Sequence, residues 1–224
     1  DAGLSCRETE KRMRSLNLSM QQVRGIFISH EHGDHIKGVP VLSAKYDLPV
    51  YITERTLRSS RMMIANHLIR FISGACTEEI NSLSITAFSK EHDAIEPLSF
   101  TVAGNGVTVG VFTDLGIACN NLHHHFKQCH AAFLEANYDR SMLMNGRYPI
   151  HLKNRISGGK GHLSNEQALE VFLAHRPSFM SHLLLAHLSK ENNHPDLVAD
   201  LFNTHAQGVE IVVASRYESS GVYH

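Results

Sequence analysis

The sequence predicts an α/β fold in which helices pack outside two β-sheets. Apolar patterns typical of strands and of helices mix along the chain without strict alternation. The chain has 224 residues, 42% of them hydrophobic, which is enough to bury a substantial core. No repeat, low-complexity tract or obvious linker divides it. We therefore expect residues 1–224 to form a single domain.

The first third of the chain predicts two strands and two helices. Residues 23–28 are apolar, β-branched and aromatic, and they predict a buried strand that stops at the polar stretch 29–35. Residues 36–46 predict a short helix and residues 48–53 a second strand. Residues 54–72 have apolar side chains at helical spacing, which predicts a longer helix.

The rest of the chain predicts a hairpin, two helices and four further strands. Residues 100–113 form the hairpin, because Asn105-Gly106 is the strongest short signal for a two-residue turn. Ser164-Asn165-Glu166-Gln167 has the spacing of a capping box and predicts a helix over residues 165–175. The other predicted elements are strands at residues 83–88, 131–135, 182–186 and 209–214, and a helix at residues 196–206.

Charge and cysteine content limit the kinds of partner and compartment. The formal net charge is -1, so nucleic-acid binding would require a local basic patch. The four cysteines are scattered without a CxxC pair, which favours reduced thiols. No apolar run is long enough to cross a bilayer, and the first residues lack the apolar stretch of a signal peptide. We expect a cytoplasmic protein with no membrane partner.

Histidine is abundant, with 17 residues, and its placement indicates a metal site. The stretch HEHGDH follows the buried strand directly, so the loop can turn several side chains towards one point. His30 and His32 can converge on one cation, while Asp34 and His35 can serve a second. Imidazole and carboxylate ligands suit Zn, Mn or Fe, and the absence of a nearby cysteine disfavours a structural zinc site.

Three further ligand-type residues stand where predicted strands end. His92 follows the strand at residues 83–88, Asp114 ends the hairpin, and His187 follows the strand at residues 182–186. Strand ends on one rim of a sheet gather side chains that are distant in sequence. We therefore expect these three residues to complete the metal ligands.

HEHGDH resembles the HxHxDH signature of the metallo-β-lactamase superfamily, and the later order of His, Asp and His matches its hydrolases. The resemblance covers nearly the whole chain. It implies a metallo-β-lactamase-type four-layer αββα sandwich. Family members begin with a strand pair ahead of the motif at Asp1, and we expect this sequence to lack these N-terminal strands.

The resemblance also implies how two divalent metal ions would be held. One ion would be bound by His30, His32 and His92, and the other by Asp34, His35 and His187. Asp114 would bridge the two ions. Asp1 would orient the ligand loop without touching a metal.

Further motifs are similar to those of the bacterial YycJ/WalJ-type exonucleases. They are SHEHGDHIKG at residues 29–38, FTDLG at 112–116, LEAN at 134–137, KGHLSN at 160–165 and LAHLSKENN at 185–193. This resemblance implies a DNA exonuclease, 5′ to 3′, that hydrolyses phosphodiester bonds with a metal-bridging hydroxide. Asp34 would orient the hydroxide, besides binding a metal.

His162 is the candidate proton donor for the departing sugar oxygen, because it precedes the predicted helix start. Candidate substrate-binding residues lie in and after a stretch without acids, whose glycines at 158, 159 and 161 suggest a mobile loop: Lys153, Arg155, Lys160, Ser164 and Asn165. Such a patch could follow a nucleic-acid backbone.

Two other functions are alternatives. A glyoxalase II-like hydrolase of thioesters or other small molecules would use an equivalent metal centre. A regulatory protein with a vestigial site would have lost ligands, whereas all seven candidate residues are present. The sequence leaves open the native metal, DNA versus RNA, cleavage polarity, strandedness and whether the chain forms a homo-oligomer.

Overall fold

The computed structural model describes residues 1–223 and contains two sheets. The smaller sheet is parallel, with the order β1 (Ile26–Phe27), β2 (Val50–Ile52) and β3 (Ile69–Phe71). The larger sheet has seven strands in the order β10-β9-β8-β7-β6-β5-β4. Its strands are β4 (Ala75–Ile80), β5 (Leu83–Ser89), β6 (Leu98–Gly104), β7 (Val107–Phe112), β8 (Ala131–Glu135), β9 (His182–Ala186) and β10 (Glu210–Val213). Strands β4 to β7 are antiparallel, and β7 to β10 are parallel.

The first helix precedes β1 in the sequence, and the others lie between strands. The helices are α1 (Cys6–Ser15), α2 (Gly33–Ile36), α3 (Val39–Tyr46), α4 (Glu54–Ser60), α5 (Asn120–Phe126), α6 (Arg140–Asn145), α7 (Ile150–Ser157), α8 (Asn165–His175) and α9 (Pro195–Asn203). Side-chain caps at Ser5, Thr53 and Asp139 accept backbone N–H groups of the first turns of α1, α4 and α6. The capping box predicted at Ser164 is present at the start of α8.

Three apolar clusters define the layers. One lies between the sheets, where Phe27 of β1 meets Phe100 of β6 with ring centroids 5.6 Å apart. A second joins the outer face of the small sheet to α3, and a third joins the outer face of the large sheet to α5, α8 and α9. The order of layers is therefore helices, sheet, sheet, helices, as the sequence predicts.

The predictions that rested on turn residues or helix-capping residues were confirmed. Asn105 and Gly106 have positive φ angles of 51° and 78°, as the two-residue turn between β6 and β7 requires.

The single helix predicted over residues 54–72 is wrong. α4 ends at Ser60 because Arg61 adopts a left-handed backbone, and residues 69–71 pair with β2 instead. Pairing with the sheet thus overrides the helical spacing.

The loop suggested by three glycines is shorter than the predicted stretch. Helix α7 occupies most of the stretch, and the glycines begin only at Gly158, which follows its last residue. Within residues 1–223, no helix has the length and apolar character needed to cross a membrane. All four cysteines are free thiols.

Strand ends from both sheets meet at one rim. The loop after β1 carries His30, and the backbone N–H of Leu98 at the start of β6 donates to the Ser29 carbonyl, which connects the two sheets there. Asp114 follows β7 and His187 follows β9 in the parallel part of the large sheet. This rim holds the candidate site.

Candidate metal centre

Asp1 holds the HEHGDH loop in place. Its carboxylate accepts hydrogen bonds from the Ser29 N–H at 2.7 Å and the Ser29 hydroxyl at 2.6 Å. His35 Nδ1 lies 2.8 Å from the same carboxylate, and His30 Nδ1 lies 2.8 Å from the Ser29 hydroxyl. If each Nδ1 carries the proton, as these partners require, the Nε2 atoms of both rings are unprotonated and can bind a metal. His30 Nε2 lies 3.0 Å from Nδ1 of His32, another candidate ligand.

The structure brings together all seven predicted ligands. His30, His32 and His92 form one group whose ligand atoms lie within 4.8 Å of one another. Asp34, His35 and His187 form a second group by the same measure.

Asp114 lies between these two groups. Its Oδ2 is 3.4 Å from His35 Nε2, and its Oδ1 is 3.3 Å from His187 Nε2 and 3.7 Å from His92 Nε2. One carboxylate therefore faces ligands of both groups.

Two of the candidate ligands adopt strained backbone conformations. Asp114 and His187 have positive φ angles of 57° and 59°, directly after β7 and β9. For a residue other than glycine, this conformation costs about 1–2 kcal/mol. Here it turns each side chain out of its strand and towards the rim, as strained residues at functional sites commonly do.

The chemistry of the cluster fits a bound cation. His92 Nε2 and Asp114 Oδ2 are buried and have no hydrogen-bond partner among residues 1–223. Burial lowers the pKa of His30 far below its usual range and lowers the pKa of His92 to about 4, so both rings are neutral, the form that binds metals. Burial alone would raise the pKa of Asp114, but the nearby His187 and Lys90 hold it well below its usual range.

Glu135 was not among the predicted site residues, yet it connects three parts of the centre. Its fully buried carboxylate accepts hydrogen bonds from the Leu115 N–H at 2.7 Å, from His162 Nδ1 at 2.7 Å and from His187 Nδ1 at 2.9 Å. The Leu163 N–H is a fourth donor at 3.3 Å. The sequence feature that could have identified Glu135 is its position as an ionisable residue at the end of the apolar strand β8.

Glu135 and His187 also set each other's protonation. Burial raises the pKa of Glu135, but hydrogen bonds from His162 and His187 outweigh it and bring that pKa to about 2. Burial lowers the pKa of His187, whereas its hydrogen bond to Glu135 and the charge of Asp114 raise the pKa to about 9. A metal ion at His187 Nε2 would take the place of that proton.

His162 lies beside the ligand cluster. Its ring centroid is 5.2 Å from that of His92 and 5.3 Å from that of His187. Because Nδ1 faces Glu135, Nε2 is the nitrogen left to meet a substrate.

The predicted substrate-binding residues fall into two sets. Arg155 and Lys160 are exposed, and Lys153 is partly buried. Ser164 and Asn165 are buried, which corrects their prediction as substrate contacts. The Ser164 hydroxyl caps α8, and the Asn165 amide exchanges hydrogen bonds of 2.8 and 3.0 Å with Asn193.

The family model described as "Beta-lactamase superfamily domain" matches residues 1–187. The chain belongs to the beta-lactamase superfamily. Two curated relatives are similar over 88% of this chain. "Exodeoxyribonuclease YycJ" of Bacillus anthracis is 36% identical over 200 residues, which cover 76% of that protein. "Exodeoxyribonuclease WalJ" of Streptococcus pneumoniae is 30% identical over 202 residues, which cover 75% of it.

Solved structures of superfamily proteins share the fold. The metallo-beta-lactamase fold protein YhfI of Bacillus subtilis has a TM-score of 0.70 at 14% identity, covering 98% of this chain and 83% of that one. Human tRNase Z, short form, has a TM-score of 0.62 at 16% identity, covering 96% and 85%. The predicted metallo-β-lactamase-type fold and family resemblance are confirmed, and superfamily membership supports the prediction of a metal-dependent hydrolase.

Proposed function

We propose that this chain is a dinuclear metal-dependent exonuclease that hydrolyses DNA phosphodiester bonds in the 5′ to 3′ direction. The observation that carries the proposal is the pair of ligand groups facing Asp114, with His162 beside them. The names of the two curated relatives support DNA as the substrate. Since both sheets contribute ligands, we also propose that residues 1–224 form one domain.

The two ligand groups correspond to two cation sites. His30, His32 and His92 would hold one divalent cation, and Asp34, His35 and His187 the other, with Asp114 between them. Zn, Mn and Fe all suit these imidazole and carboxylate ligands. Two such cations would lower the pKa of a water from 15.7 to about 7 and neutralise charge on the phosphoryl oxygens.

Residues of the chain would orient the attacking water and donate the proton to the leaving group. Asp34 is exposed, with its carboxylate 3.8 Å from His35 Nε2, so it can orient the attacking water. His162 would donate a proton from Nε2 to the departing sugar oxygen as the phosphorus–oxygen bond breaks. The carboxylate of Glu135, 2.7 Å from His162 Nδ1, would stabilise the protonated ring before that transfer.

Cleavage of end-labelled duplex DNA tests the proposal. Protein loaded with Mn or Zn is incubated with DNA labelled at the 5′ end or at the 3′ end, and in parallel with a thioester substrate. We expect early release of mononucleotides from the 5′ end, and about 100-fold or greater loss of turnover in His162→Ala at unchanged metal content. Thioester cleavage without DNA cleavage would instead favour the glyoxalase II-like alternative. An unimpaired His162→Ala would remove this residue from the mechanism.

A further inference from the structure

Asp93 connects the ligand cluster to the exposed surface. Its Oδ1 lies 3.3 Å from Nε2 of the adjacent His92, and its Oδ2 accepts a hydrogen bond of 2.6 Å from Arg155 Nε. The His92 side chain is 1% exposed, whereas that of Arg155 is 61% exposed. The Asp93 carboxylate therefore connects the Arg155 guanidinium to a candidate metal-binding nitrogen.

Backbone contacts fix the position of Arg155 as well. Gly161 lies directly against the last turn of α7, where an added Cβ would collide with the carbonyl oxygens of Arg155 and Ile156. The His162 N–H donates to the Ile156 carbonyl at 2.8 Å, and the Gly161 carbonyl pairs with His92 Nδ1 at 3.0 Å. The helix that carries Arg155 is thus held against both His92 and His162.

Arg155 keeps its phosphate-binding donors free. The one side-chain hydrogen bond that it makes within residues 1–223 uses Nε, which leaves the N–H groups of both terminal nitrogens. Guanidinium groups bind phosphate through pairs of such donors. Lys153 differs, because its ammonium group donates to the Met144 carbonyl at 2.7 Å.

We propose that Arg155, positioned by Asp93, forms a second phosphate subsite for the phosphate one nucleotide away from the scissile bond. The proposal rests on the proposed function, since it assumes that the ligand cluster holds the scissile phosphate. The ligand would be a nucleotide with two phosphates, the second being either a terminal monoester or an internal diester. Asp93 is a positioning residue in this arrangement, because it acts through Arg155.

Calorimetric binding to the metal-loaded protein tests the subsite. The ligands are thymidine 5′-monophosphate, thymidine 3′,5′-bisphosphate and a 5′-phosphorylated thymidine dinucleotide with a phosphorothioate linkage to slow hydrolysis. We expect the wild-type protein to bind at least one ligand with two phosphates about tenfold more tightly than the monophosphate. A preference for the bisphosphate would show that two monoesters are sufficient, whereas a preference confined to the dinucleotide would show that a diester is required.

Three variants distinguish the positioning of Arg155 by Asp93 from a general effect of surface charge on phosphate binding. Arg155→Gln should remove the tenfold preference, and Lys11→Gln, which neutralises an exposed cation on α1, should keep it. Asp93→Asn should also remove the preference, because the guanidinium loses its partner. If Asp93 merely repelled phosphate, Asp93→Asn would strengthen the preference, and its positioning role would be wrong.

Two results would overturn the subsite itself: a wild-type protein without the preference, or an Arg155→Gln variant that retains it. The proposed function is judged separately by cleavage of DNA. A protein that leaves DNA intact but shows the preference, and loses it in Arg155→Gln, would retain the subsite and lose the proposed function. Equal melting temperatures of the variants establish that they are folded.

Discussion

At the residue scale, Glu135 illustrates how one buried carboxylate can organise a site. Its hydrogen bonds orient His187, a candidate ligand, and His162, the candidate proton donor. Both imidazoles use Nδ1 for Glu135, so both present Nε2 to the centre. Partners of this kind set the tautomer and direction of metal-binding histidines.

We predict that Glu135→Gln lowers both turnover and metal affinity. In the structure both imidazoles bond to one carboxylate oxygen, Oε1, while the Leu115 and Leu163 N–H groups bond to the other, Oε2. The glutamine amino group would replace one of these oxygens and face donors there, so one of the two pairs of hydrogen bonds is lost. The expected loss is about 10- to 100-fold, as for other residues that orient metal ligands. Metal content and DNA cleavage rate measure it. Glu170→Gln on exposed α8 surface is the matched control, and a Glu135→Gln variant that behaves like this control would contradict the prediction.

The sequence predicted some of these residues and could not predict others. His30, His32, Asp34 and His35 are close together in the sequence, directly after a predicted strand, so a local pattern was enough to select them. Glu135 acquires its role from contacts with residues 20 or more positions away, so its place in the LEAN motif at the end of an apolar strand did not reveal its partners. The burial of Ser164 was likewise a tertiary effect, although its capping role was visible in the sequence.

At the element scale, strand ends were predicted better than the helices between them. The strands at residues 131–135 and 182–186 are continuous apolar runs, and both were found with those bounds. Helix α1 was not predicted, since it is strongly polar and has no buried residue. Helix α4 was predicted too long because apolar spacing does not reveal that β3 pairs with β2.

Helix α7 and the turn after it provide an element-scale prediction. In Gly161→Ala, the new methyl group would meet the carbonyl oxygens that end α7, so the helix must move away from His92 and His162. We expect a loss of about 1–3 kcal/mol in the free energy of unfolding, as for other overpacked sites, together with lower activity. Gly159→Ala is the matched control, because its methyl group would make only an ordinary contact with Ile117 at 3.6 Å. Equal urea-unfolding curves for the two variants would refute the prediction.

The packing of α5 against α8 should depend on pH. The rings of His123 and His175 lie 4.0 Å apart, and His175 Nδ1 is buried without a partner within residues 1–223. Burial lowers the pKa of both rings, and the charge of Lys127 adds to the effect. The folded state therefore binds fewer protons than the unfolded state, whose histidines have a pKa of about 6.5. Stability from this pair is complete above that pKa and is lost as the pH falls below it.

We accordingly expect His175→Gln to reduce the loss of stability on acidification. The free energy of unfolding, measured with urea at pH 7, 6 and 5, should fall less steeply in the variant than in the wild-type protein. The difference arises because glutamine takes up no proton on unfolding. His151→Gln, which replaces an exposed histidine on α7, should keep the wild-type slope. Parallel pH profiles for wild type and His175→Gln would exclude a contribution from this pair.

At the scale of the whole molecule, the candidate metal centre joins the two sheets. His30, His32 and His35 follow the small sheet, whereas His92, Asp114 and His187 come from the large one. Cations bound by both sets would bridge the sheets, in addition to the apolar cluster that includes Phe27 and Phe100. Unfolding would separate the ligands, so binding to the folded state should stabilise the entire chain.

Metal removal should therefore lower the melting temperature of the molecule as one cooperative unit. A cation at about 1,000 times its dissociation constant contributes about 4 kcal/mol, which corresponds to roughly 8–16 °C for a chain of this size. Calorimetry with and without chelator measures the change. His92→Ala should lose most of the metal-dependent rise, while His67→Ala, an exposed histidine 70% accessible to solvent, should retain it. Two separate transitions, only one of them metal-dependent, would show that the sheets unfold independently and that a single domain is the wrong description.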